Sequence, residues 1–175
     1  KIRWDLGAVV LTSLTSYGEL ETRTNLDIDA TEVPFSWEYT SEDSRTITQE
    51  LQIASADSGR LRWIGGLYYL NEDATQNCRI MCPPFQADIF YPDVRNKTNA
   101  GALFGQATYA VTDKLRVTAG LRYSREKREG FFHQTVTDPL GILTQIPGGA
   151  VIDVGSRGSK TWCAWTPKLG IDFDL

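Results

Sequence analysis

The chain has 175 residues, of which 41% are hydrophobic and 23% are charged, and its formal net charge is −4 at pH 7. The excess of acidic over basic residues argues against a nucleic-acid-binding protein. No apolar run approaches 18 residues, which argues against a transmembrane helix. A membrane protein built from strands is still allowed, because strands that alternate apolar and polar residues average to near-neutral hydropathy.

Six segments show the two-residue period of β-strands. In chain order they are residues 6–17, 45–54, 61–70, 101–109, 115–124 and 161–175. The fifth alternates most strictly, with apolar residues at Leu115, Val117, Ala119, Leu121 and Tyr123, separated by Arg116, Thr118, Gly120, Arg122 and Ser124. These patterns predict an all-β fold, an antiparallel up-and-down meander of about six strands without helices.

The connections between these strands differ sharply in length. Residues 57–60 and 111–114 have the size and polarity of tight turns, whereas residues 18–44, 71–98 and 130–160 form connections of about thirty residues each. Compact soluble domains rarely carry three structureless loops of that length. Short turns on one edge and long loops on the other are typical of outer-membrane barrels. A soluble β-sandwich with decorated loops is the alternative.

The placement of charge within the strands separates two faces. A charge at mid-depth on the lipid face of a barrel costs roughly 2–4 kcal/mol, so charges should collect on the lumen side. The lumen-facing residues are predicted to be Glu50, Gln52, Arg116, Thr118, Gly120, Arg122, Lys168 and Asp172. The lipid-facing residues are predicted to be Leu115, Val117, Ala119, Leu121, Tyr123, Leu169, Ile171 and Phe173.

Two cysteines, Cys78 and Cys82, lie within the second long connection. A metal or redox site would need further ligands, but the chain has no second closely spaced cysteine pair, and its one histidine, His133, lies in another connection. In an oxidising compartment, a disulfide between Cys78 and Cys82 is the expected state.

A run of basic residues extends from the end of the fifth strand, and two interpretations of it stay open. It would suit an anionic ligand, or, in an outer membrane, the phosphates of lipopolysaccharide. Alternatively, it is a set of solvated strand-end charges interleaved with Glu126 and Glu129. The residues of the run are Arg122, Arg125, Lys127 and Arg128.

No catalytic constellation is evident, since one histidine, scattered serines and no nucleophile-elbow motif leave nothing from which to build a triad. Phosphate-binding glycine loops and zinc-ligand spacings are also missing from the sequence. The sequence therefore predicts neither an enzyme nor a bound cofactor.

Three stretches resemble barrel segments of TonB-dependent outer-membrane receptors, with the greatest likeness to the ferric-siderophore branch. They are "LTSLTSYGELETRTNLDID", "ITQELQIASADSGRLRWIGGLYYLNED" and "ALFGQATYAVTDKLRVTAGLRYSREKRE". The resemblance implies a 22-stranded transmembrane barrel with long extracellular loops and a plug domain. It also implies a bacterial outer-membrane location and energy-coupled uptake of a large scarce nutrient, with a ferric siderophore as the expected ligand.

The sequence departs from the family pattern in lacking a plug domain and most of the strands. Residues 1–175 are therefore interpreted as an internal piece of the barrel domain. Its expected partners are outer-membrane lipid, the rest of its own barrel and plug, the TonB complex acting through that plug, and the ferric siderophore, with no nucleic acid. A passive porin-like channel and a soluble β-sandwich binding module are the alternative functions.

Overall fold

The computed structural model describes residues 1–33, 35–56 and 59–174, without the side chains of residues 90–93. This part of the chain forms one antiparallel sheet whose strand order equals the sequence order. The strands are β1 Ile2–Asp5, β2 Val9–Asp27, β3 Trp37–Ser55, β4 Leu61–Cys82, β5 Ala87–Ala110, β6 Leu115–Asp138 and β7 Ala150–Phe173, with a 3-10 helix at Pro83–Phe85. The predicted all-β meander is confirmed. The described residues include no helix long and apolar enough to span a membrane.

The short turns lie at one edge of the sheet, as predicted. In the turn between β5 and β6, the backbone N–H groups of Val111 and Thr112 donate to the Leu115 carbonyl at 2.9 and 3.2 Å. The Thr112 hydroxyl accepts a 3.0 Å bond from the Leu115 N–H. The other predicted turn, residues 57–60, includes Asp57 and Ser58, which lie outside the described residues, as does Leu175 at the end of the sixth predicted strand.

The prediction of three long loops is wrong, because the strands continue through most of those residues. β2 and β3 have 19 residues each, β4 has 22, and β5, β6 and β7 have 24 each. The connections that remain are residues 28–36, 83–86 and 139–149. They do leave from the edge opposite the short turns, as expected. The molecule therefore carries long β-hairpins where loops were predicted.

The start of the sheet also differs from the prediction. A four-residue strand, β1, pairs with the beginning of β2 through Asp5 and Val10. Gly7 then reverses the chain with a φ of +81°, and its N–H donates to the Asp5 carboxylate at 2.9 Å. Strand β2 consequently begins at Val9 rather than at residue 6. A strand of four residues is too short to show a clear alternation, so the sequence pattern did not reveal it.

The hairpin tips at the long end are held by buried or hydrogen-bonded carboxylates. Asp138 is completely buried and accepts bonds from the backbone N–H groups of Ile142 (3.1 Å) and Thr144 (2.7 Å). The Thr144 hydroxyl adds a 2.9 Å bond. Burial raises the pKa of Asp138, but these donors outweigh it, and the pKa lies below its ordinary value. The β6–β7 tip is therefore organised around an ionised side chain.

The two faces of the sheet differ in crowding, which identifies its inner and outer sides. Thr118 and Ala102 lie on one face and are only 7% and 8% exposed. Leu103 and Leu121, on the other face of the same two strands, are 59% and 49% exposed, and Leu169 of the edge strand β7 lies on that face too. Side chains converge on the concave side of a curved sheet and splay apart on the convex side. The face of Thr118 is called the inner face below, and the face of Leu169 the outer face.

Candidate functional site

The outer face carries an apolar band at the short-turn end of the sheet. The strand register places all the residues predicted to face lipid in this band. Towards the short turns the band ends at Trp63, Tyr109 and Phe173, and towards the hairpin tips at Tyr17, Tyr69, Tyr123 and Trp165. Aromatic borders of this kind are typical of the two membrane interfaces of a barrel. The direction of these side chains toward lipid stays a prediction.

A polar patch interrupts the band on β2 and β3, but its groups bond to one another. The Thr15 hydroxyl donates to the Gln49 amide oxygen at 2.6 Å, and the Gln49 amide nitrogen donates to the Ser13 hydroxyl at 3.0 Å. Mutual pairing lowers the cost of placing polar groups in an apolar environment. The patch is therefore compatible with the band.

Beyond the aromatic border, the outer face becomes charged. Ion pairs join Arg45 to Glu19 at 3.1 Å and Lys97 to Asp73 at 3.2 Å. A 24-residue strand is about 75–80 Å long, or about 60 Å tall at the usual barrel tilt, whereas the apolar band of such barrels is about 25 Å tall. Roughly half of each long hairpin therefore stands above the band.

All the residues predicted to face a lumen share the inner face. Several are tied to neighbours there: Lys168 donates to the Gln106 amide oxygen at 2.9 Å, and the Thr108 and Thr118 hydroxyls lie 2.9 Å apart. The structure thus brings the predicted polar residues together on one surface. Their direction toward a lumen stays a prediction.

At the centre of the inner face, Arg122 lies over two aromatic rings. Its guanidinium carbon is 5.8 Å from the centroid of the Tyr68 ring and 6.0 Å from that of Phe104. The Arg122 Nε also donates to the Ser124 hydroxyl at 3.0 Å. A guanidinium held by cation–π contacts and one hydrogen bond keeps further N–H donors for a ligand.

The charges of the inner face are unevenly distributed across the sheet. Strands β3 and β4 contribute mainly acids to this face: Glu38, Glu42, Glu50 and Glu72. Strands β6 and β7 contribute mainly bases: Arg116, Arg122, Arg128, Lys160 and Lys168. Separated charge of this kind sets up a field across the surface and attracts an anion to the β6–β7 side.

Above the band, a depression of about 290 Å³ on this face is lined by Tyr68, Glu72, Arg122, Glu126 and Arg128, among others. Arg128 pairs with Glu126. Beside it, two cations lie near the Trp162 ring, with the Arg128 guanidinium carbon at 6.0 Å and the Lys160 ammonium at 5.4 Å from its centroid. Trp162 is 44% exposed. An exposed ring with two cations beside it can bind an anionic or aromatic ligand.

The structure divides the predicted basic run between the two faces. Arg122 and Arg128 lie on the inner face, whereas Arg125 and Lys127 lie on the outer face, because alternate residues of β6 point to opposite sides. The two interpretations of the run therefore apply to different members of it. Trp162 and Lys160 were not identified from the sequence; Lys160 fell in a predicted loop and Trp162 at the start of the sixth predicted strand.

The expected disulfide is not formed. Cys78 and Cys82 are both free and both lie in the continuous strand β4. Four residues of extended strand separate their Cα atoms by about 13 Å, well beyond the roughly 7 Å that a disulfide can bridge. The pairing was predicted because these residues were expected to form a loop. Among the described residues, no group of three or more metal-ligating side chains comes together.

Comparisons with known proteins agree with this geometry. The crystal structure of the ferric yersiniabactin uptake receptor FyuA from Yersinia pestis is similar, with a TM-score of 0.71 and 14% sequence identity. The match covers 99% of this chain and 24% of that one, so the chain spans about a quarter of the receptor's length. At this identity the likeness shows the fold. A comparison with curated proteins finds no match.

A match to a family model shows which protein family the chain belongs to. The model of the TonB dependent receptor-like β-barrel matches residues 2–175, almost the whole chain. Members of this family are receptors and transporters of the Gram-negative outer membrane and are not enzymes. The chain therefore belongs to the TonB-dependent receptor β-barrel family.

Proposed function

We propose that this chain forms part of the wall of an outer-membrane receptor that takes up a ferric siderophore by an energy-coupled mechanism. Residues 1–175 would supply one section of the barrel domain, completed by further strands and a plug through which the TonB complex acts. The outer face would contact lipid and the inner face would line the lumen. The observation that carries the ligand class is the exposed Trp162 ring beside the cross-strand pair of cations Arg128 and Lys160 on the inner face.

The chemistry of this surface suits an anionic chelate. Siderophores bind iron through oxygen-rich, negatively charged groups, and many carry aromatic rings. Cations attract such a ligand electrostatically, and an indole ring offers a flat surface for stacking. The position above the apolar band suits first capture from outside the cell, before passage along the inner face.

The similar structure supports the same ligand class. FyuA is named as a ferric yersiniabactin uptake receptor, and it shares the fold of this chain. The two proteins are only 14% identical, so the ligand of this chain is inferred from its own inner face.

Two tryptophans of β7 provide a matched test in the full-length protein. Trp162 lies on the inner face, whereas Trp165 lies on the outer face, where its ring centroid is 4.7 Å from that of Tyr123. We expect Trp162→Ala to weaken binding of ferric siderophores about 5- to 30-fold, corresponding to roughly 1–2 kcal/mol for the lost ring contacts. Trp165→Ala should leave binding unchanged. Binding is measured with iron-loaded chelates on the purified receptor.

Uptake by cells separates this function from its alternative. Iron accumulation from the chelate should require both the protein and an intact TonB complex. Uptake that continues without TonB would indicate a passive porin-like channel. Equal binding by the wild type and the Trp162→Ala variant would contradict the inner-face site.

A further inference from the structure

A second concavity, of about 580 Å³, lies on the outer face at the upper border of the apolar band. It is a groove along β5, with β4 on one side and β6 on the other. Its wall and rim residues are Leu67, Tyr69, Leu103, Tyr123, Arg125 and Lys127. The groove lies on the opposite side of the sheet from Arg122 and Trp162, so the proposed uptake function does not use it.

The groove exists because a glycine stands where a side chain would otherwise fill it. Gly101 of β5 pairs with Tyr69 of β4 and with Arg125 of β6, and all three lie on the outer face. The missing side chain leaves a trough between the Tyr69 and Tyr123 rings. The Tyr69 hydroxyl lies 3.5 Å from the Asn99 amide oxygen, a long and weak contact.

The groove changes from apolar to cationic along the strands. Leu67 and Leu103, which are 55% and 59% exposed, lie at its end within the band. Arg125 and Lys127 lie at its other end, two and four residues beyond Tyr123, or about 7 and 13 Å along β6. Apolar contacts and positive charges therefore occur at the heights where a membrane lipid has its acyl chains and its headgroup phosphate.

The positive charge is local to this side of the outer face. Beyond the band, the outer face of β5 to β7 carries the cations Arg95, Lys97, Arg125, Lys127 and Arg157, against Glu129 and, nearer the hairpin tips, Asp88 and Asp153. Lys127 and Glu129 pair at 2.6 Å. Nearby Lys127, Lys97 and Arg157 keep the pKa of Glu129 below its ordinary value. The outer face of β2 and β3 instead carries Glu19, Glu21 and Asp43 with Arg23 and Arg45.

We propose that this groove binds a phosphorylated lipid of the membrane leaflet on the hairpin side, with a phosphate at Arg125 and Lys127 and acyl chains against Leu67 and Leu103. The proposal rests on the membrane placement given above, but it does not depend on uptake or on the identity of the nutrient. A soluble anion would gain nothing from the apolar half of the groove, whereas a lipid satisfies both halves.

The test uses the full-length receptor in detergent micelles and measures bound lipid by native mass spectrometry. The probes are diphosphorylated lipid A, the same lipid without its phosphates, and inorganic phosphate alone. We expect the Arg125→Gln/Lys127→Gln double variant to bind diphosphorylated lipid A about tenfold more weakly, because two charge-assisted contacts are lost. The matched control is Arg122→Gln/Arg128→Gln, which removes the same charge from the inner face of the same strand and should bind lipid normally.

A second variant tests the groove without changing charge. A Cβ at Gly101 would meet only the Tyr68 carbonyl oxygen, at an ordinary distance of 3.7 Å, so Gly101→Leu can be accommodated and should fill the trough. We expect it to reduce lipid binding at least as much as the double variant.

The outcomes distinguish the lipid site from a simple anion site and from the proposed uptake function. Equal affinity for the dephosphorylated lipid would remove the phosphate contact, and displacement by inorganic phosphate alone would indicate a simple anion site. If the groove variants lose lipid binding but bind the siderophore normally, the groove is a lipid site separate from the uptake site. A receptor that fractionates as a soluble protein would refute both the membrane placement and the lipid site.

Discussion

The Phe104 ring of β5 packs against the backbone of Gly66 on β4, so closely that a Cβ atom at Gly66 would lie 2.5 Å from the ring's Cζ. The same Cβ would lie 2.6 Å from the Leu51 carbonyl oxygen of β3. Gly66 thus permits a close approach of three strands on the inner face. This approach places the Phe104 ring beneath Arg122 and builds the centre of the candidate site.

Substitution of Gly66 should therefore affect both the sheet and the site. We expect Gly66→Ala to destabilise the full-length barrel by about 1–3 kcal/mol, since the ring and a neighbouring backbone must move. Gly65→Ala is the matched control, because a Cβ there meets only the Phe104 carbonyl oxygen, at 3.6 Å. Urea unfolding in lipid vesicles measures both variants, and equal stability would contradict the close packing described here.

The two faces should tolerate charge differently. We expect Leu121→Arg to reduce the folded fraction in the outer membrane, because a charge in the apolar band costs about 2–4 kcal/mol. Gln52→Arg places the same charge on the inner face at nearly the same height, beside Glu50, and should be tolerated. Heat-modifiable migration on gels measures the folded fraction. Equal tolerance of both changes would argue against the membrane placement.

The sequence alone suggests Thr118→Arg as the inward control, but the structure makes that choice less suitable. Thr118 is only 7% exposed and shares a hydrogen bond with Thr108. An arginine there would disturb packing, so a loss of folding would not report on charge alone.

The β6–β7 tip should depend on the ionised state of Asp138. Because its pKa is lowered in the folded protein, Asp138 stabilises the tip fully above its unfolded pKa of about 3.9. This stabilisation is lost as the pH falls through the lower folded-state pKa. We expect amide protection of residues 140–146 to be constant from pH 7 to about 5 and to fall below pH 4, as measured by hydrogen exchange corrected for intrinsic rates.

Two variants of the tip separate charge from hydrogen bonding at neutral pH. Asp138→Asn removes the charge-assisted acceptor and should lower the protection of residues 140–146 strongly. Thr144→Val removes only the hydroxyl donor and keeps the backbone bond from the same residue, so its effect should be smaller. Protection that is unchanged in Asp138→Asn would show that Asp138 does not organise the tip.

The sequence predicted the strands correctly where they carry the apolar band and failed where they leave it. Between Leu115 and Tyr123 one face is apolar and the other polar, so the two-residue period is visible. From Arg125 to Glu129 every residue is charged, and Phe131 and Phe132 then follow one another, so the two-residue period disappears although the backbone ladder continues to Asp138. The backbone hydrogen bonds of a strand do not depend on the polarity of its side chains, so the sequence pattern does not reveal them. The hairpins were therefore mistaken for loops.

The candidate site was predictable in part for the same reason. Arg122 and Lys168 were assigned to one face because they alternate with apolar residues. Trp162 and Lys160 come together with Arg128 only through the pairing of β6 with β7, which joins residues more than thirty positions apart. Alternation within one strand contains no information about that register. The groove at Gly101 likewise requires the alignment of three strands.

The sheet ends at two edge strands, β1 and β7. Within the described residues, β1 pairs only with β2, and β7 pairs only with β6 along its whole length from Ala150 to Phe173. The outward backbone groups of β7 therefore have no strand partner among the described residues. In hydrocarbon each unsatisfied group costs several kcal/mol, and in water an open edge of this length invites pairing with another copy. The apolar outer band is a second surface that favours self-association in water, since Leu169 is 85% exposed and Ile171 is 75% exposed.

Residues 1–175 produced alone should accordingly self-associate instead of remaining monomeric in water. We expect analytical ultracentrifugation to show large, concentration-dependent species, with infrared spectra dominated by β-structure. Replacing Leu169 and Ile171 with serine should shrink these species only partly, since the backbone edge of β7 stays open. A monodisperse monomer with sharp, cooperative unfolding would contradict the open edge and favour a self-contained β-sandwich. The physical reason for the expected result is that a meander with two free edges completes its hydrogen bonding only when further strands close the barrel.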